Sequence, residues 1–207
     1  VPTYIWRHGC GPTALGMVIG YYDLNGFPDL VAGDAGSQTT NVNSAVASEQ
    51  HYSDYSLPID NGSNIFDDKS ELGGAHTSNC LADFMRTSWS SLNMAYGWSR
   101  LSDIAPSFNL VSPSSLTSTE LIFFSNGTSW DRYINEINNN KPVVFLVDSD
   151  GDGTTDHFVT GVGYDSEQML YAVHDTWDHN IHWFNWRGMS AGNGWGIHSY
   201  VILNIES

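Results

Sequence analysis

The sequence predicts an α+β domain, on two observations: an all-apolar helical run close to the start and a change of period in the last third. Pro12 to Tyr22 carries Ala14, Leu15, Met17, Val18, Ile19, Tyr21 and Tyr22 with no polar face, and a helix apolar all round is a buried one. Pro12 suits the first helical position, where its missing N–H would have no partner anyway. Late in the chain come five β-rich segments, Val143–Val147, Phe158–Tyr164, Met169–His174, Ile181–Trp186 and Ile197–Leu203, separated by Asp, Gly and Asn clusters. That spacing predicts an antiparallel sheet. At 207 residues the chain is expected to form one domain, 1–207, with a helical and loop part over about 1–140 and a sheet part over about 141–207.

The remaining elements follow from local signals. Asp23 to Ala75 is rich in Gly, Asn, Ser and Asp and reads as long loops, with a helix around Asn43 to His51. Ser78 predicts an N-cap for a helix through Leu81, Phe84 and Met85, and Ser129 starts another through Trp130, Tyr133, Ile134 and Ile137, ending before Pro142. There is no internal repeat.

Charge narrows the partners. With 7 Lys+Arg against 23 Asp+Glu the formal charge is −16, which repels phosphate backbones and anionic lipid, so nucleic acid is excluded as an expected partner. Val143 to Val147, the longest unbroken apolar run of the second half, is far short of the ~20 residues of a membrane helix. Abundant Asn, Ser, Thr, Gly, Trp and Tyr with only two lysines suggests an extracellular or cell-surface protein, although no signal peptide is visible.

The stretch HGCGPTALG, His8 to Gly16, places one of two cysteines just ahead of the apolar helix. There the thiol of Cys10 meets unpaired N–H groups and the positive end of the helix dipole, which favours thiolate. Glycines on both sides allow a tight turn and leave room for a substrate. Two other readings stay open: a disulfide to Cys80 and a buried free thiol. A nucleophile needs a base. His157 opens the strand HFVTGVGY, and Asp175 closes the next strand in YAVHDTWD; neighbouring antiparallel strands can hold an imidazole and a carboxylate side by side.

GCGPTA opening an apolar helix, the late DHFVTGVGYD strand and the following AVHDTW resemble the papain-like cysteine peptidases, specifically the branch similar to the double-glycine-leader (bacteriocin-processing) peptidases, family thirty-nine. The matching motifs cover residues 1–22 and about 141–178, and HTSNCLADFM in the middle is shared with uncharacterised relatives. The resemblance implies a papain-like fold, Cys10 as nucleophile, His157 as general acid and base, and Asp175 as the orienting carboxylate. In that family a glutamine a few residues before the cysteine donates to the oxyanion. Here Tyr4, Ile5, Trp6, Arg7 and His8 fill the gap, and the only glutamines are Gln38, Gln50 and Gln168. Tyr4, Trp6 and His8 become the oxyanion candidates beside the Cys10 backbone N–H. Loss of one such donor costs ~10²–10³ in rate.

Just before His157 stands DSDGDGTTD. Asp148, Asp150, Asp152 and Asp156 occupy positions 1, 3, 5 and 9 of a calcium loop, with Gly153 at the turn and the Thr154 carbonyl at position 7. Position 12 is Val159 and the flanks read as strands, so a D-x-D-G-D-G loop outside an EF-hand is expected, holding structural Ca2+. A solvated acidic turn is the plain alternative. His174, His179 and His182 lack a zinc-like spacing and are expected to be structural or surface residues, His174 facing away from Asp175. Trp177 is expected to shield the triad. Asn61 and Asn126 begin glycosylation-type sequons.

The expected function is thiol-dependent hydrolysis of a peptide bond in a peptide or protein substrate, calcium-stabilised. The alternatives are a weak or inactive calcium-binding surface module that binds a peptide or glycan, and acyl transfer or deamidation by the same triad.

Overall fold

The computed structural model describes residues 1–55, 76–89, 96–113, 115–125 and 127–206. It is α+β, a helical N-terminal half packed on an antiparallel sheet. The helices are α1 (Cys10–Leu24), α2 (Thr40–Val46), α3 (Glu49–Tyr55), α4 (Leu81–Phe84), α5 (Ile104–Val111) and α6 (Thr128–Asn138). The strands are β1 (Thr117–Phe123), β2 (Val143–Asp148), β3 (His157–Asp165), β4 (Leu170–His174), β5 (His182–Asn185) and β6 (Gly196–Ile205), in the order β1-β6-β2-β3-β4-β5. Every neighbouring pair is antiparallel.

The sheet is covered on both faces, which explains why β2 reads as a continuous apolar run and not as an alternation. Along its strands successive side chains point to opposite sides. Val144, Leu146, Phe158, Val201 and Leu203 meet α1, α2, α4 and α5 in one core. Val143, Phe145, Val147, Val159, Tyr171, Val173, Tyr200 and Ile202 meet Trp130 and Tyr133 of α6 in the other. α1 lies across β3, where the Thr160 hydroxyl donates to the Ala14 carbonyl at 2.9 Å, and the Tyr22 hydroxyl at the far end of α1 donates to the Leu203 carbonyl at 2.8 Å.

Several expectations change. The first helix begins at Cys10, so Pro12 is its third residue, still within the turn whose N–H groups have no helical partner. The helix expected over Asn43 to His51 is two helices, because Ala47 is extended and the Ser48 hydroxyl accepts from His51 N–H to start a new turn. The N-cap expected at Ser78 is Cys80, and α4 stops after a single turn where Arg86 and Ser88 take positive φ. α5 and β1 were not expected. β1 is an edge strand whose apolar Leu121 and Phe123 are exposed, so its sequence lacks a buried face, and it brings a sixth strand to the sheet from the part expected to be helical. The sequons at Asn61 and Asn126 lie outside the described residues. Among the described residues no helix is long and apolar enough to cross a membrane.

The Thr160 to Ala14 bond links helix to sheet inside a dry layer. Thr160→Val keeps the shape and removes the donor, and is expected to cost about 1 kcal/mol, read as a lower urea midpoint.

Candidate active site

Cys10 is the first residue of α1, reached through a turn that few residues could form. His8 has φ 56° and Gly9 φ 146°. A Cβ on Gly9 would stand 2.8 Å from Thr87 Cγ2 and 2.9 Å from the Gly97 carbonyl oxygen, and one on Gly11 2.8 Å from Met85 Cε. The two glycines thus admit Met85, Thr87, Gly97 and Ser99 against the turn, and not the substrate as the sequence suggested. Thr13 ties the turn together: its hydroxyl donates to the Gly9 carbonyl at 2.7 Å and accepts from Arg7 N–H at 2.9 Å.

His157 is the first residue of β3, paired with Val147 of β2, and its imidazole hydrogen-bonds the Cys10 thiol. Nε2 lies 2.7 Å from the Asp175 carbonyl oxygen, which leaves Nδ1 for the sulfur. Burial pushes the Cys10 thiol up, but the hydrogen bond and charge of His157, with the N–H groups of Phe158 and Gly11, outweigh it and hold the thiol below its ordinary range. Burial likewise disfavours a charged His157, and Cys10, the Asp175 carbonyl and Asp156 outweigh that, raising the imidazole. A lowered thiol facing a raised imidazole favours the thiolate–imidazolium form of the pair.

Asp175 holds the histidine differently from the expected carboxylate contact. Its main-chain carbonyl accepts from the ring, while its carboxylate Oδ1 accepts from the N–H groups of Trp177 at 2.9 Å and Asp178 at 3.4 Å. Oδ2 faces His182 Nε2 at 3.3 Å. The carboxylate shapes the turn that presents the carbonyl. Thr176 in that turn has φ 71°, and its carbonyl accepts from Trp6 N–H at 2.6 Å. The Trp177 ring stacks on His157 at 4.4 Å between centroids with 18° between planes.

The pair opens on a cleft of about 850 Å³ whose lining includes Trp6, Tyr96, Trp98, Arg100, Leu121 and Trp177. Of the three oxyanion candidates only Trp6 lines it. Tyr4 is buried in the helical core, where its hydroxyl donates to the Ala35 carbonyl at 2.6 Å. His8 is fully buried among the rings of His51, Tyr52 and Tyr96, and burial first, then His51 and Arg7, lower it to about 2. A neutral ring so placed cannot serve an oxyanion in the cleft. Gln38 is occupied with Ile5, accepting from its N–H at 2.7 Å and donating to its carbonyl at 2.8 Å.

Both cysteines are free thiols, so the disulfide reading falls. Cys80 is buried, bonds Asp83 Oδ2 at 3.2 Å, and is pushed up to about 12, chiefly by burial and then by Asp83.

The acidic loop joins β2 to β3. Asp148, Asp150 and Asp152 each offer an oxygen within 4.8 Å of the others. Asp156 is not in that group: its carboxylate accepts from Ser149 N–H at 2.6 Å and from the Ser149 hydroxyl at 2.5 Å. Asp148 also accepts from Gly151 and Gly153 N–H at 2.7 and 2.9 Å, which shapes the turn. Among the three histidines read as non-metal, His174 faces the Asn180 carbonyl, and His182 gathers Asp175 and Asp178. Sequence reasoning missed Trp98 and Arg100 of the cleft; their segment carries no motif.

A family model described as "Peptidase_C39 like family" matches residues 1–195. Among solved structures, that of the active wild-type interpain A cysteine protease of Prevotella intermedia is similar, with a TM-score of 0.43 and 15% identity over 59% of this chain and 51% of that one. The chain spans about half the length of that structure. No curated protein matches.

Iodoacetamide is expected to alkylate Cys10 well below pH ~8.5, the ordinary thiol value, and to leave Cys80 untouched. Mass spectrometry of each cysteine from pH 4 to 9 checks this; in His157→Ala the Cys10 profile should move back toward the ordinary value.

Proposed function

Since the chain belongs to the Peptidase_C39 like family, we propose that it hydrolyses peptide bonds, with Cys10 as nucleophile and His157 as acid and base. The observation that carries this reading is the hydrogen-bonded Cys10–His157 pair at the mouth of the cleft. The Cys10 sulfur attacks the scissile carbonyl carbon, and the C–N electrons leave with the amine, which takes the proton of His157 Nδ1. A thioester on Cys10 remains. Water then gives a proton to Nδ1 and attacks the thioester, releasing the acid and restoring the thiolate–imidazolium pair. The Cys10 main-chain N–H at the helix start and the Trp6 indole are the candidate donors to the oxyanion. Trp177 covers one face of the imidazole and keeps water from it.

The Asp148, Asp150 and Asp152 oxygens suit calcium, which takes hard oxygen ligands and offsets their mutual repulsion. An ion there would stiffen the hairpin whose last strand starts at His157. A second reading, a non-catalytic module that binds a peptide or glycan, draws on the aromatic lining of the cleft by Trp6, Tyr96, Trp98 and Trp177.

The test is turnover of a mixed peptide library read by mass spectrometry. Wild type is expected to cut, and Cys10→Ser to lose at least ~10³-fold in kcat/KM; uncut peptides that nonetheless bind would favour the second reading. Asp175→Asn keeps both the carbonyl and an acceptor for the turn, so its loss should stay within about tenfold, far milder than His157→Ala, whereas a loss of the order of ~10⁴ would assign the orienting role to the carboxylate. Calcium in place of chelator should raise Tm in wild type and not in Asp150→Asn/Asp152→Asn; equal Tm values would leave the loop a plain acidic turn.

A further inference from the structure

Behind the turn that presents Cys10 lies a second group of chemistry-bearing side chains that the hydrolytic reading does not use. His51 of α3, His76 and Asp83 of α4 each bring one ligand atom within 4.8 Å of the others. His51 Nδ1 is 2.6 Å and His76 Nε2 3.0 Å from the same oxygen, Asp83 Oδ1. His51 and Asp83 are buried, and the His76 side chain is 11% exposed. We propose that His51, His76 and Asp83 hold a divalent transition-metal ion, zinc by their ligand set.

A metal site and a hydrogen-bonded cluster differ here by one proton on His76. His76 Nδ1 lies 2.6 Å from Asp54 Oδ2, so that nitrogen carries the ring's proton. Without an ion, Nε2 at 3.0 Å from Asp83 Oδ1 carries a second proton and His76 is an imidazolium between two carboxylates; with an ion there, Nε2 gives its lone pair to the metal and the ring is neutral. His51 has the complementary problem: its Nε2 is buried without a hydrogen-bond partner. With a proton on Nδ1 for Asp83, Nε2 is left a bare acceptor; with the proton on Nε2, the Nδ1 lone pair faces Asp83 Oδ1 at 2.6 Å. A cation among His51 Nδ1, His76 Nε2 and Asp83 Oδ1 takes a lone pair from each and leaves the ring protons on His76 Nδ1 and His51 Nε2.

The surroundings fit such an ion. Metal-bound imidazoles commonly donate their other N–H to a carboxylate that fixes ring and tautomer, which is what Asp54 does for His76. Asp83 Oδ2 is held by Asn79 N–H at 2.9 Å and the Cys80 thiol at 3.2 Å, leaving Oδ1 for the ion. Two nitrogens and one carboxylate oxygen are borderline ligands suited to zinc, with water completing the tetrahedron, and bonds of ~2.0–2.2 Å would part the three atoms slightly. The site also reaches the catalytic turn: the His51 ring stands edge-on to that of His8 at 4.5 Å, two residues before Cys10. An ion there would act as a brace for the His8–Gly9 turn, without touching substrate.

Zinc is the probe, and untagged Cys10→Ser is the carrier, because the Cys10–His157 pair could itself bind zinc. After loading and gel filtration, metal content by inductively coupled plasma mass spectrometry should show one zinc per chain in Cys10→Ser and in Cys10→Ser/His182→Ala. It should fall to background in Cys10→Ser/His76→Asn. Cobalt in place of zinc in Cys10→Ser should give the visible bands of a nitrogen- and oxygen-ligated ion without a thiolate charge-transfer band, a readout independent of whether the His76 variant folds. No retained zinc, zinc unaffected by His76→Asn, or cobalt ligated by thiolate would each overturn the proposal.

Discussion

The structure depends on one constraint: α1 has no polar face, so it must be enclosed on all sides. Eleven of its fifteen residues are buried, and each large apolar side chain so enclosed contributes ~1.5–3 kcal/mol. The sheet closes one side, while α2, α4 and α5 close the others. Once the Thr160 hydroxyl and the Tyr22 hydroxyl fix both axis and register, the first residue of the helix can stand in only one place. That place is against the first residue of β3. Cys10 and His157, 147 positions apart in sequence, meet because a helix is buried lengthwise on a strand.

The same enclosure sets the electrostatics. In water a thiol and an imidazole at neutral pH are mostly neutral; burial alone would keep them so, since it penalises either charge. Here the sulfur receives N–H groups from Gly11 and Phe158, and the ring receives the Asp175 carbonyl. A charge on either group is thus met by dipoles already in place. A carbonyl can orient an imidazole as well as a carboxylate can, but it adds less negative charge beside the ring. Cys10 and Asp156 supply that charge.

Legibility in the sequence tracked periodicity and motif. α1, α6 and the five late strands were readable because each buries a regular apolar pattern. The break of α2 from α3 at Ala47 and Ser48 was not, since a single extended residue leaves no compositional mark. β1 was hidden for the opposite reason: an edge strand with exposed Leu121 and Phe123 has no face to betray it. In the site, Cys10 and His157 were named from local motifs, whereas which atom of Asp175 meets the ring depended on a turn with Thr176 at positive φ. Only nearness in sequence to Cys10 points to Tyr4 and His8 as oxyanion donors. The fold sends both inward, Tyr4 along the flank of α1 and His8 into a nest of rings.

The inward turn of His8 explains more than a missed candidate. A non-glycine residue at φ 56° followed by glycine at φ 146° is a strained pair of conformations, held only if the surroundings over-determine it. Three fixtures do so: the Thr13 hydroxyl bridging Arg7 and Gly9, the Ser88 hydroxyl facing His8 Nε2 at 3.2 Å, and the ring nest built on His51. Trp6, next but one to His8, is pinned from the other side by the Thr176 carbonyl. The segment before Cys10 is therefore clamped between the helical half, through His51, and the half that carries His157, through Thr176. A change at His51 would reach Cys10 through two peptide units from His8, and one at Thr176 through four from Trp6.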